Sequence, residues 1–181
     1  WNILSTLEGI LRERIKGLSN DFQVQGDMAI HRTAIIEGNV TLKGPIIISA
    51  GSFIGAHAYL RGGVFLGENS VIGPSCEVKS SMIMSKSALA HFNFIGDSLI
   101  GTQVNFEAGS IIANHFNERS DKTIYVLLNG KKTSIEVTKF GAIVGDQSKV
   151  GANAVLSPGT LLKPQSIVHR LALVEQCSPK N

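Results

Sequence analysis

From Ile30 onward, every sixth residue is apolar. Stepping by six gives Ile36, Leu42, Ile48, Ile54, Leu60, Leu66, Ile72, Val78, Met84 and Ala90, eleven consecutive positions of which ten are large. Four residues after such a position the chain is often small, as at Ala34, Ser52, Ala58, Ser70, Cys76 and Ala88. Glycine often follows directly (Gly55, Gly67, Gly73), where a turn favours a residue without a Cβ. A second run, Val144, Val150, Leu156, Leu162 and Val168, keeps the same period. Six matches neither the period of a helix nor that of a flat strand. It matches a parallel β-helix, in which each hexapeptide is one short strand and a corner, and three close a triangular coil. The repeated aliphatic points inward and stacks on its equivalents above and below. About twenty hexapeptides make roughly seven coils at ~4.8 Å spacing, a prism on the order of 30 Å long.

Composition agrees with that reading. Of 181 residues, 20 are Ile, 13 Val and 19 Gly, while only 17% are charged and 6% aromatic. This excludes disorder, a coiled coil and an aromatic-cored globule. A net charge of +3 is too mild to imply nucleic acid. The longest uncharged stretch, 44–60, is studded with Gly, Ser and His and is no membrane-spanning helix. Cys76 and Cys177 give neither a disulfide framework nor metal spacing, which fits a reducing cytoplasm. No signal peptide is visible, and Trp1 stands in place of Met, consistent with a missing N-terminal segment.

Three departures from the repeat divide the chain. Residues 1–20 carry Ile3, Leu4, Leu7, Ile10, Leu11, Ile15 and Leu18 at helical spacing, predicting an amphipathic helix that ends near Gly17 and packs on the solenoid. An alternative assigns it to a preceding domain. A second departure is a phase slip: Ile100 follows Ala90 by ten residues where twelve were due, which places the loss of two residues around His91-Phe92-Asn93-Phe94. The third is an excursion between Ile112 and Val144, where Asn129-Gly130 joins two alternating segments as a hairpin. A long arm leaving a solenoid reaches a ligand or a neighbouring subunit. The expected organisation is a helix over 1–20, a solenoid over 28–169 with an arm over 114–139, and a tail over 170–181. Stacked strands are expected over 28–112 and 140–169.

His91 stands at the slip, and a histidine's near-neutral titration suits a general base. Arg61 and Lys79 each follow an inward aliphatic, eighteen residues apart, so they stack one coil apart on one face. Lys79 to His91 is twelve residues, nearly another coil. Stacked cations beside a base make a phosphate grip. The bland alternative is a corner histidine and solvated surface cations.

The chain resembles the acetyltransferase domain of the bifunctional N-acetylglucosamine-1-phosphate uridyltransferase/glucosamine-1-phosphate acetyltransferase family, and more closely its archaeal-type sugar-1-phosphate relatives. The resemblance is carried by Leu60-Arg61-Gly62-Gly63, Glu77-Val78-Lys79, His91-Phe92-Asn93-Phe94-Ile95-Gly96-Asp97, Val104 to Ser110, Ala113-Asn114, Lys122-Thr123 and Lys139 to Asp146. It implies an all-β, left-handed parallel β-helix with an N-terminal helix and a protruding hairpin arm, assembled as a homotrimer with sites between prisms. It implies an acetyl-CoA co-substrate and no metal. His91 would be the base that deprotonates a sugar amine, Arg61 and Lys79 would hold the sugar phosphate, and Asn105 the sugar. Asn114 would position the amine or acetyl group, and Ala108, His115, Ala142 and Ser157 would line the acetyl-CoA groove. Phe94 stands where the bacterial enzymes have a substrate-touching Tyr, His115 where they have a Tyr, and Glu107 where they have a Gly. No nucleotidyltransferase domain or phosphate-cradling Gly motif is present in residues 1–29.

Three readings stay open on the sequence. One is an N-acetyltransferase acting on an amino-sugar phosphate. Another is a non-catalytic solenoid that binds a sugar phosphate or serves as a scaffold. A third, a metal enzyme of the carbonic-anhydrase type, needs converging histidines; His31, His57, His91, His115 and His169 contain no close pair, though subunits could combine them.

Overall fold

The computed structural model describes residues 1–177. Two short helices, α1 (Asn2–Ser5) and α2 (Leu7–Lys16), precede a left-handed β-helix of short strands whose successive coils pair in parallel. Three faces repeat. The first carries Thr41–Lys43, Phe94–Gly96, Ile111–Ile112, Val155–Leu156 and Leu173–Val174. A second carries Met28–His31, Ile46–Ile48, Leu99–Ile100, Ala142–Val144 and Thr160–Leu162. The strands Tyr59–Leu66 and Glu77–Ile83 run across the corner between these two. The third face runs from Ile35–Ile36 through Phe53–Ile54, Val71–Ile72, Ala88–Leu89, Asn105–Phe106 and Lys149–Val150 to Ile167–Val168.

The inward column is Ile48, Ile54, Leu60, Leu66, Ile72, Val78, Ile83, Leu89, Ile95, Ile100, Phe106 and Ile112, resuming at Val144, Val150 and Leu156. Each fully buried Leu or Ile contributes about 1.5–3 kcal/mol by leaving water. Two residues before most of these aliphatics sits a small or polar side chain turned into the corner. Ser52, Ser70 and Ser87 donate to the carbonyls of Gly67, Met84 and Gly101 at 3.0, 3.1 and 2.7 Å. Corner polarity is therefore satisfied inside, and no buried side-chain N or O among the described residues lacks a partner. Coils approach so closely at the corners that a Cβ on Gly73 would sit 1.5 Å from the Ala90 carbonyl oxygen.

The repeat holds, but its slip lies elsewhere than the period suggested. Met84 and Ala90 are not core positions, and Ser87 rather than Ala88 fills the corner; the inward residues are Ile83 and Leu89. Two separate one-residue losses replace the expected loss of two residues around His91-Phe92-Asn93-Phe94. One falls between Val78 and Ile83, the other between Ile95 and Ile100. Both shorten the same corner, between the first and second faces. In the coil below, Gly62 and Gly63 form a bulge there with φ of 67° and 86°. Ser80-Ser81 turns it with one residue fewer, pairing Ser81 with Val64.

The outer surface of the second face is apolar, and the chain covers it. Leu7, Leu11 and Ile15 of α2 pack on Ala29, Ile47, Phe65 and Met82. The helical stretch is two helices rather than one and ends at Lys16, with Gly17 as its cap. Further along, Ile124, Val126, Ile135 and Phe140 pack with Trp1, Leu4, Ile143 and Leu161. The arm is a two-residue hairpin, Ile124–Leu128 against Lys131–Ile135, with Asn129 and Gly130 both at positive φ. Its root folds back on the solenoid, while its tip from Leu127 to Lys132 is exposed. Leu173–Val174 pairs with Val155–Leu156, so the last coil reaches into the stretch expected as a tail; residues 178–181 of that stretch lie outside the described residues. Residues Phe22–Gln25 pair antiparallel with Met28–His31 and close the opposite end.

Candidate active site

The first face gathers most of the expected site residues. Arg61 pairs in register with Lys79, and Lys43 with Arg61, so three cations stand one per coil at the corner shared with the second face. The eighteen-residue spacing of 43, 61 and 79 carried this signal for Lys43 as well. Arg61 Nη2 and Nε lie 2.7 and 2.9 Å from Glu77 Oε1. Lys79 Nζ donates to Asp97 Oδ2 at 2.8 Å, and both side chains are largely buried, 16% and 13% exposed. Asn114 Nδ2 donates to that same Asp97 oxygen at 2.5 Å. Asp97 therefore ties a cation of one strand to an amide two coils away.

His91 does not stack on Lys79, whose partner in the next coil is Gly96. It sits on the corner before Phe94–Gly96, at the other edge of the first face, because the third-face strand ends at Leu89. Among the described residues no side chain bonds its ring. Its carbonyl accepts the Gly109 N–H at 2.8 Å, which sets Ala108 one coil above it. Next to it Phe92 is 69% exposed with φ of 54°, a left-handed conformation costly for an aromatic residue.

Other expected residues divide between surface and core. Phe94 lies half-buried on the outer first face, in register with Glu77 and Ile111. Asn105 is exposed on the third face, between Ala88 and Lys149. His115 is exposed and bonds Asn114 through Nδ1. It lines a groove of about 230 Å³ with Ser157 and Pro158. Ala142 is wholly buried in the solenoid core, held by a 3.0 Å bond from its N–H to Ser98 Oγ, so its side chain lines no groove within one chain.

Glu107 is not a free carboxylate. Arg170 clamps it with Nε and Nη2 at 2.8 and 3.0 Å, and the Ala152 N–H adds a bond at 2.9 Å. The guanidinium first, and the backbone N–H second, hold its pKa down at about 2 against an ordinary 4.5. A lowered pKa places the pair's contribution above pH 4.5, to be lost only as pH falls through about 2. In a carbon-detected titration the Glu107 carboxyl is expected to move near pH 2, and to return toward the ordinary range in Arg170→Gln. An unchanged midpoint in that variant would contradict the clamp. Among the described residues, no three His, Cys, Asp or Glu side chains converge as metal ligands, and no helix is long and apolar enough to cross a membrane.

A prism of hexapeptide coils with cations stacked along one corner defines a hexapeptide-repeat protein, and residues 130–158 match the hexapeptide repeat of succinyl-transferase. Residues 42–137 match the GMPPB C-terminal domain, and the chain belongs to that family. It is similar to the bifunctional protein GlmU of Methanococcus vannielii, 34% identical over 196 residues, covering 97% of this chain and 43% of that protein. The GlmU of Methanocaldococcus jannaschii is 43% identical over 143 residues, covering 68% of this chain and 34% of that one. The resemblance read from the motifs thus extends over most of the chain. The chain spans less than half the length of these relatives. Among solved structures, a hexapeptide transferase family protein from Anaplasma phagocytophilum shares the fold, with a TM-score of 0.51 at 18% identity over 80% of this chain and 70% of that one.

Proposed function

We propose that this chain transfers an acetyl group from acetyl-CoA to the amine of an amino-sugar phosphate such as glucosamine-1-phosphate. The observation that carries the reading is the register of Arg61 on Lys79, joined through Asp97 to Asn114, on the face whose other edge is the His91 corner. The guanidinium fork and the ammonium suit a phosphate, which exchanges with Glu77 and Asp97 as it binds. The sugar nitrogen attacks the thioester carbonyl carbon, a C–N bond forms and the C–S bond breaks. His91 takes a proton from the nitrogen and returns it to the departing sulfur, so that CoA leaves as the thiol. Asn105, Phe94 and Asn114 contact the acceptor in this reading, and Ala108 and Ser157 the acetyl-CoA. The step uses imidazole and backbone N–H groups without a metal.

The test is thiol release from acetyl-CoA with glucosamine-1-phosphate, followed by other amino-sugar phosphates. In that assay Arg61→Ala and Lys79→Ala are expected mainly to raise KM for the acceptor, because they grip ground state and transition state alike. A fall in kcat with KM unchanged would place them elsewhere.

A homotrimer belongs to the same proposal. The second face is covered, whereas among the described residues the first and third are bare and meet at His91. Exposed Val71 and Ile167 lie on the third face, Ile111 and Leu173 on the first, and Phe92 at the corner between them. Two bare faces of one prism meeting those of its neighbours close a ring of three. Light scattering at micromolar concentration is expected to give the mass of three chains; a monomer would count against the assembly and weaken the acetyltransferase reading.

One observation favours the competing reading, a solenoid that binds sugar phosphate or a partner without chemistry. Arg61 and Lys79 are both already paired with carboxylates. That reading predicts no thiol release with any amino-sugar phosphate.

A further inference from the structure

The Asp97–Asn114 contact decides more than the position of Asn114. Only Nδ2 of an asparagine can donate to a carboxylate, so the 2.5 Å bond to Asp97 Oδ2 fixes which way the amide faces. Its other atom, Oδ1, is then the one 3.1 Å from His115 Nδ1. A carbonyl oxygen only accepts, so His115 carries its proton on Nδ1, and in the neutral ring Nε2 is left as a bare acceptor. The chain of bonds is anchored at both ends. Asp97 also accepts from Lys79 Nζ, its N–H donates to the Lys79 carbonyl at 2.8 Å, and its own carbonyl accepts the Gly141 N–H at 2.9 Å. The Asn114 carbonyl accepts the Phe140 N–H at 3.0 Å.

We propose that His115 is a specificity-determining residue: a fixed acceptor, through Nε2, for a hydroxyl of the sugar phosphate, with Asp97 and Asn114 as its positioning residues. The inference rests on the acceptor reading above, and it places His115 on the acceptor side rather than in the acetyl-CoA groove that the resemblance implies. A phosphate oxygen has no proton to offer Nε2, whereas a sugar hydroxyl does. Asp97 links this acceptor to Lys79, so the anion grip and the hydroxyl acceptor share one carboxylate. A ligand carrying an anion next to hydroxyls satisfies both at once. A site built to take a hydroxyl discriminates against analogues that lack it, because they leave its acceptor without a donor.

Long-range nitrogen–proton correlation spectra of the histidine rings of the full chain, recorded above the imidazole titration, test the relay without any turnover. The His115 signals, identified by their loss in His115→Gln, are expected in the Nδ1–H pattern. In Asp97→Gly they are expected to change to the Nε2–H form that a solvated imidazole prefers. The Asp97 φ of 46° suits glycine, so that variant keeps its corner. Asn114→Ala should produce the same change without touching the corner. An Nε2–H pattern in the wild type, or an Nδ1–H pattern surviving both variants, overturns the relay. In the thiol-release assay His115→Phe is expected to raise KM for glucosamine-1-phosphate about 3- to 10-fold with kcat little changed, the worth of one neutral hydrogen bond. An unchanged KM overturns the role of His115. A wild-type chain that neither binds nor acetylates this sugar phosphate defeats the acceptor reading and removes the ligand, while the spectra still decide the relay.

Discussion

His91→Asn is expected to lower kcat by a factor of ~10²–10⁴ while leaving acetyl-CoA binding nearly intact, the usual contribution of a positioned general base. Asparagine keeps a polar group of similar reach at the corner but cannot take up a proton. The corner itself does not depend on the ring, since His91 contributes its carbonyl to the Gly109 N–H and no side-chain bond among the described residues. Folding and assembly of the variant should therefore match the wild type, and acetyl-CoA titration should give the same affinity. Equal kcat in the two proteins, on an acceptor known to turn over, would remove His91 from the chemistry. The proton would then have to leave by another group on the first face.

The second large effect is one of stability. Ile83→Ala is expected to cost about 2–5 kcal/mol, because it empties a core position with no exposed surface and the neighbouring coils cannot collapse into the gap. Met84→Ala, one residue on, is expected to cost about 1 kcal/mol or less, since its side chain lies outside the core. Denaturant unfolding of the two variants measures the difference. Equal losses, or a larger loss at Met84, would contradict the inward register after Val78.

That pair of neighbours also shows how far the sequence could be read. Up to Val78 the period-six aliphatics and the inward column coincide, because each coil spends the same number of residues on every corner. After Val78 the segment Ser81-Met82-Ile83-Met84 is apolar at three successive positions, so the period continues equally well through Met84 and Ala90 as through Ile83 and Leu89. What separates them is a tightened corner at Ser80-Ser81, where Ser81 Oγ donates to the Lys79 carbonyl at 2.7 Å and accepts the Ser98 N–H at 3.0 Å. Such hydrogen bonding joins residues seventeen apart and leaves no trace in a hydrophobic period. The same limit applied to the site. The spacing of 61 and 79 revealed their stacking, but the partners Glu77 and Asp97, and the clamp of Arg170 on Glu107, depend on side-chain directions that only the folded corner defines. The hairpin was legible because Asn129-Gly130 is local turn chemistry. The outer stripe Ala29, Ile47, Phe65 and Met82 is present in the sequence too, one residue before or after inward positions, but it merges there with the core signal.

Covering that stripe changes the number of ways one prism can join another. A bare three-sided prism could associate laterally through all three sides and grow into a branching lattice. With α2 and the hairpin root lying along the second side, the lateral valence falls from three to two. Units of valence two close into rings or extend as single files, and they cannot branch. The amphipathic helix therefore does more than shelter apolar surface: it takes one side of the prism out of any lateral contact, and the exposed corner bearing His91 is the vertex of the other two sides.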